Sequence, residues 1–141
     1  MIYISYFAKQ KKMPIEDAAY ASVSVGNPKY AVPYQIRDAK ILKPYGIFGK
    51  YEFGAEYEAA YRRRLERYGV EAICYELERL QGNHKNLVLM CHEKNKLDCH
   101  RWMFAKWWYE QTGEVILEWG ESTEDFFDSL DEKELDQISL L

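Results

Sequence analysis

Apolar and polar positions alternate at the start of the chain. Ile2 and Ile4 interleave with Tyr3 and Ser5, a period of two that predicts a strand over residues 2–7. Lys9, Lys11 and Lys12 then form a basic turn that ends at Pro14, and Ile15 to Ala19 predict a helical turn. A second β-prone run, Tyr20 to Val25, stops at Gly26-Asn27-Pro28. Residues 29–53 show neither period. Pro33, Pro44, Gly46 and Gly49 interrupt them, and tyrosines crowd them, so a ligand wall, a lid or a covering excursion is expected there. From Glu56 the period becomes helical. Tyr57, Tyr61, Leu65 and Tyr68 make one stripe that ends at Gly69. A second helix follows, with Val70, Ile73, Cys74, Leu77 and Leu80 on one side, which reads Cys74 as core.

Leu87 to Met90 are continuously apolar, as in a strand covered on both faces. Cys91, His92 and Glu93 follow it. After a polar loop, Asp98 is placed to cap a helix that starts with Cys99, His100 and Arg101 and closes at Gly113. Glu114 to Trp119 give a last strand. Thr123 to Leu130 predict a short helix whose Phe126 and Phe127 dock on the body.

Strands alternating with helices predict an α/β fold. The expectation is a single three-layer, Rossmann-like domain over residues 1–120, with a mostly parallel sheet of about four or more strands flanked by helices. Residues 121–141 form an acidic C-terminal tail. In such sheets ligands sit beyond the carboxyl ends of the strands. That places the loops after Ser5, at Asn27 and at Cys91 on one edge.

Composition narrows the class. Apolar residues make up 48% of 141, enough for a core, and aromatics reach 16%. The net charge of −4 is uneven: residues 121–141 hold eight acids and one base, a net −7, leaving +3 for the rest. A mildly basic body suits an anionic ligand but lacks the strongly basic face of a duplex binder. Three cysteines, no basic-apolar leader and no run of membrane-spanning length predict a reducing cytoplasm and no membrane partner.

The candidate chemistry gathers at residues 91–101. A thiol at a helix start ionises more easily, which makes Cys99 or Cys91 a nucleophile or redox thiol. His100 moves protons near neutral pH. Glu93 acts as a base or orients Arg101 or His100. Arg101 and the first-turn amides bind an anion, a nucleotide or nucleic-acid phosphate, with Ser5 and Asn27 as further ligand contacts. Cys91, Glu93, Cys99, His100 and Arg101 are thus the catalytic candidates. Each has a structural alternative, as packing, cap or ion pair.

Zinc is a second option. Cys91, His92, Cys99 and His100 are acceptable ligands, but their spacing fits no usual zinc motif, and adjacent Cys-His pairs do not readily face one ion. No other cofactor is expected. A Cys91–Cys99 disulfide is within reach of the loop, although nothing marks the chain as secreted. A third option is a non-enzymatic interaction protein, with the cluster as an internal staple and the acidic tail contacting a partner.

Ile-Tyr-Ile-Ser-Tyr-Phe at 2–7, Ser-Val-Gly-Asn-Pro-Lys-Tyr at 24–30, Leu-Met-Cys-His-Glu at 89–93 and Cys-His-Arg at 99–101 together resemble the family called domain of unknown function 488. The resemblance covers residues 1–119. It implies an α/β protein of bacterial or phage cytoplasm, with Cys91, Glu93, Cys99, His100 and Arg101 as the shared positions. It implies no reaction.

Overall fold

A computed structural model of the chain describes residues 1–131 and Glu134. Five strands form one all-parallel sheet: β1 (Ile2–Tyr6), β2 (Ala18–Ser22), β3 (Ile36–Asp38), β4 (Asn86–Cys91) and β5 (Leu117–Glu118), in the order β3-β2-β4-β1-β5. The helices are α1 (Phe7–Lys12), α2 (Ala55–Tyr68), α3 (Val70–Gln81), α4 (His100–Thr112) and α5 (Thr123–Asp128). The expected α/β class is what the chain adopts.

The period of two within the strands sorts the core into two layers. Ile4, Ala19, Ala21, Leu87, Leu89 and Cys91 point to the face covered by α2, α3 and α4, where Tyr61, Leu65, Ile73, Leu80 and Trp107 meet them. Tyr20, Val88 and Met90 point the other way, to a thinner layer closed by Phe7 of α1, Ile15 and the half-buried Tyr3, Tyr34 and Trp119. β4 lies at the centre with both faces covered, which is why its sequence is apolar without alternation. The fully buried Leu87 to Met90 alone carry four large side chains, each worth about 1.5–3 kcal/mol of transfer free energy.

Several local expectations shift. The residues after β1 do not make a basic turn. They continue as α1, and Lys9 donates to the carbonyl of Trp119 at 2.5 Å. Ile15 to Ala19 do not form a helical turn, because β2 already begins at Ala18 beside β4. β3 lies inside the unreadable stretch. It is only three residues long and half-exposed at the sheet edge, too short for a periodic signal. Cys74 is exposed, not core: the buried stripe of α3 runs through Ile73, Leu77 and Leu80, one residue to its side. Gly69 has φ of +86° and serves both as C-cap of α2 and N-cap of α3, a conformation that favours glycine.

α5 packs back on the body. Phe126 and Leu130 are buried in the main core, and Phe126 meets Trp102 edge-to-face with ring centroids 5.1 Å apart. Of the acidic tail, Glu132, Lys133 and residues 135–141 lie outside the described residues. Among the described residues, no helix is long and apolar enough to cross a membrane.

Candidate functional site

The chain leaves β1 outward to β2 and β3, returns to β4 at the centre, and leaves β4 toward β5 on the opposite edge. β1 and β4 are neighbours whose connections depart in opposite directions. This is the switch point of a doubly wound sheet, where the strand ends open a crevice. The segment from Cys91 to Arg101 lies there, since Cys91 closes β4 and α4 starts at His100.

The helix start falls one residue later than the sequence predicts. Asp98 belongs to a short 3-10 turn, Lys96–Asp98, and Cys99 is the N-cap. Its Sγ accepts the backbone N–H of Arg101 at 3.4 Å. Cys99 has extended backbone (φ −138°, ψ 144°), whereas His100 is already helical. That change of backbone direction turns two adjacent side chains toward the same point, and so removes the obstacle that adjacency poses. The Nδ1 of His100 lies 3.9 Å from Cys99 Sγ. The loop folds back far enough for Cys91 and Cys99 to be joined by a disulfide. All three side chains are buried: Cys91 0%, Cys99 2% and His100 7% exposed.

His100 Nε2 lies 2.5 Å from the carbonyl oxygen of Val23. A carbonyl only accepts, so Nε2 carries the proton. In the neutral ring Nδ1 then has a free lone pair aimed at the sulfurs. Burial holds the imidazole neutral, lowering its pKa to about 4; the Val23 carbonyl opposes that shift, and the Arg101 charge adds to it. The ring is thus a fixed acceptor at neutral pH, rather than the proton shuttle the sequence suggested.

Arg101 is fully buried, and all five of its N–H donors are used. Nε and Nη2 form a fork on the Glu118 carboxylate, 2.9 Å each. Nη1 donates to the Glu93 carbonyl at 2.7 Å and to Cys91 Sγ at 3.1 Å, and Nη2 reaches the Lys94 carbonyl at 3.3 Å. No donor remains for an incoming anion, so the expected phosphate contact at Arg101 is corrected to a staple that ties β4, β5 and α4 together. Its partner is Glu118, which the sequence reading passed over. The signal was there: an acid between the apolar run Val115-Ile116-Leu117 and Trp119 cannot be buried without a cation. Glu93, expected to act as a base or to orient Arg101 or His100, offers Arg101 only its backbone carbonyl; its own side chain is exposed.

A cavity of about 210 Å³ opens beside the cluster. Cys99 and His100 form its floor. Phe48, Tyr51 and Phe53 from the loop after β3, and Tyr57 of α2, form its aromatic wall. Glu93 and Asp98 add two carboxylates, and Ser24 and Val25 the loop after β2. The 39–54 excursion is therefore a wall of the cavity. It is pinned by Tyr61 Oη donating to the Leu42 carbonyl at 2.7 Å and by Arg64 Nε donating to the Lys43 carbonyl at 2.7 Å. Among the described residues, no lysine or arginine lines the cavity.

Two expected ligand contacts do not reach it. Ser5 is fully buried on the thinner face, where its Oγ accepts from Gln10 at 3.0 Å. Asn27 is exposed and lies beyond the loop residues that face the cavity. Strand ends do share an edge, but Ser5 points to the other face by the pleat, and β2 ends early enough that Ser24 takes the place given to Asn27. His92 is also outside the cluster: its Nε2 pairs with the Gly26 carbonyl at 2.7 Å and its ring leans on Phe7.

The site therefore unites Cys91, Cys99, His100 and, as scaffold, Arg101. It leaves Glu93 on the cavity rim and Ser5, Asn27 and His92 elsewhere. No family model matches this chain, and neither a curated protein nor a solved structure does.

Proposed function

We propose that the protein is a thiol–disulfide-active α/β domain, in which Cys99 exchanges with a small thiol or disulfide admitted through the cavity. The observation that carries this reading is the unequal surroundings of two joined sulfurs. Cys99 faces the cavity; Cys91 lies behind it, 3.1 Å from a guanidinium nitrogen. An incoming thiolate attacks Cys99 Sγ, a mixed disulfide forms, and the electron pair of the broken S–S bond leaves on Cys91. Arg101 Nη1–H donates to the sulfur that becomes this thiolate and stabilises it, and a stabilised leaving group departs faster. A second thiol then attacks the mixed disulfide, so that two external thiols become one disulfide and the protein holds the dithiol. In the reverse direction Cys91 is the resolving thiol. The helix N-terminus favours a thiolate at Cys99 in the same way, through the Arg101 N–H. The resemblance to the unknown-function family rests on these same residues and is retained as part of the proposal.

The test uses a Cys74→Ser protein, so that the exposed third cysteine does not report. Native protein is equilibrated with glutathione buffers of graded potential, and free thiols are counted after acid quench. The expected result is a two-electron transition between zero and two thiols in folded protein, with Cys99 in the trapped mixed disulfide. A bridge that resists reduction until the chain unfolds overturns the reading and leaves a structural cross-link.

A further inference from the structure

We propose that, in the reduced protein, Cys91, Cys99 and His100 form a three-ligand site for a zinc-class divalent ion, with the fourth position open to the cavity. The inference rests on the reducibility assumed above, but not on exchange with any substrate.

Three observations carry it. The two Sγ atoms and a ring nitrogen of His100 all lie within 4.8 Å of one another, and all three side chains are buried. Two thiolates with an imidazole are a ligand set that zinc accepts. Next, His100 is oriented as metal-bound imidazoles are. One ring nitrogen donates to the Val23 carbonyl, which fixes the tautomer and leaves Nδ1 bare toward the sulfurs. Finally, the charge fits the ion: two thiolates and a divalent ion sum to zero, and Arg101, paired with Glu118 at 2.9 Å, adds no net charge, so the loaded site is neutral in its buried surroundings.

The Cα atoms of Cys91 and Cys99 stand 7.4 Å apart, a span that two sulfurs on one ion accommodate. Cys99 and His100 both border the cavity, so the remaining coordination position faces it, as in zinc sites that keep one place for water or substrate.

The bridge and the ion exclude each other, because both use the same sulfur electron pairs. Oxidation by a small disulfide turns the two thiolates into the protein bridge. Two electrons pass to the oxidant, which leaves as two thiols after taking up two protons, and the ion is released. The site is therefore a redox-controlled metal site.

The experiment titrates reduced, oxygen-free Cys74→Ser protein with Co²⁺, followed by Zn²⁺. The expected result is one equivalent of cobalt with thiolate-to-cobalt charge-transfer absorption, displaced by zinc and lost on adding a small disulfide. Cys99→Ser and His100→Gln each lose or shift those bands, and circular dichroism verifies that they fold. Should His100→Gln not fold, Cys99→Ser alone decides. Reduced protein with two counted thiols and no such bands overturns the metal proposal while leaving thiol exchange intact. Bands that persist unchanged in Cys99→Ser overturn it as well. Failure to reduce the bridge in folded protein sinks both readings, and is recognised by a thiol count of zero.

Discussion

Replacing Arg101 by methionine removes the guanidinium that links the ends of β4 and β5 to α4, and leaves the Glu118 carboxylate buried without a partner. Removing one member of such a pair costs about 3–5 kcal/mol, whereas replacing both with apolar residues of similar volume recovers much of that. Urea denaturation of Arg101→Met, and of Arg101→Met with Glu118→Leu, is expected to show that order. If the single variant is as stable as the parent, Arg101 is not a staple. His100 gives a prediction in pH. Its folded pKa is about 4, below the unfolded value of 6.5, so the unfolded chain binds the extra proton first. Stability from the neutral ring is therefore complete above pH 6.5 and is lost as the pH falls toward 4, by up to ~3 kcal/mol. In metal-free, oxidised protein, His100→Asn should flatten that part of the stability profile relative to the parent. What the sequence shows at this scale is which side chains crowd the junction; what it hides is where each one points. Cys99 and His100 converge because the helix begins one residue later than Asp98 suggests. Ser5 fails to converge because the pleat turns it to the opposite face.

Elements were most legible where burial imposes one strong period. α2, α3 and α4 appear close to their predicted bounds, and Gly113 closes α4 in the left-handed conformation as its position implies. Short edge elements were less legible. β3 is three residues long, so its pairing is dictated by β2 and not by its own pattern, whereas β5 was read as a strand over residues 114–119 and pairs over only Leu117–Glu118. α1 follows β1 without a turn residue between them, and its basic composition disguised a helix as a loop. α5 is a short helix that exists by contact. Ser122 and Asp125 form a reciprocal capping box, and Phe126 is inserted between Trp102, Tyr109 and Phe127. Phe126→Ala should destabilise the whole domain by about 3–5 kcal/mol in calorimetry, as loss of a core aromatic does. If α5 were a loose appendage, the melting temperature would hardly move.

For the molecule as a whole, the α/β class was legible from the alternation of strand and helix patterns, and the edge carrying the site from the general geometry of such sheets. The cavity was not, because most of its aromatic wall comes from residues 44–53, which have no period to read. The ion pairs that secure the architecture also join residues distant in sequence. Arg62 of α2 meets Glu110 of α4, and Lys106 of α4 is held between Glu58 and Glu134. Such pairings follow from the fold and are invisible before it.

The central place of β4 has one more consequence. β1 and β2 are consecutive in the chain, yet each borders β4 and neither borders the other. As a ribosome extends this polypeptide, its opening third has no lateral partner at the middle of the sheet until the stretch Asn86–Cys91 has been made. The nascent protein must therefore hold β1, and the β2 edge that β4 will cover, apart and unmatched, a waiting period during which a holding chaperone would find its natural target.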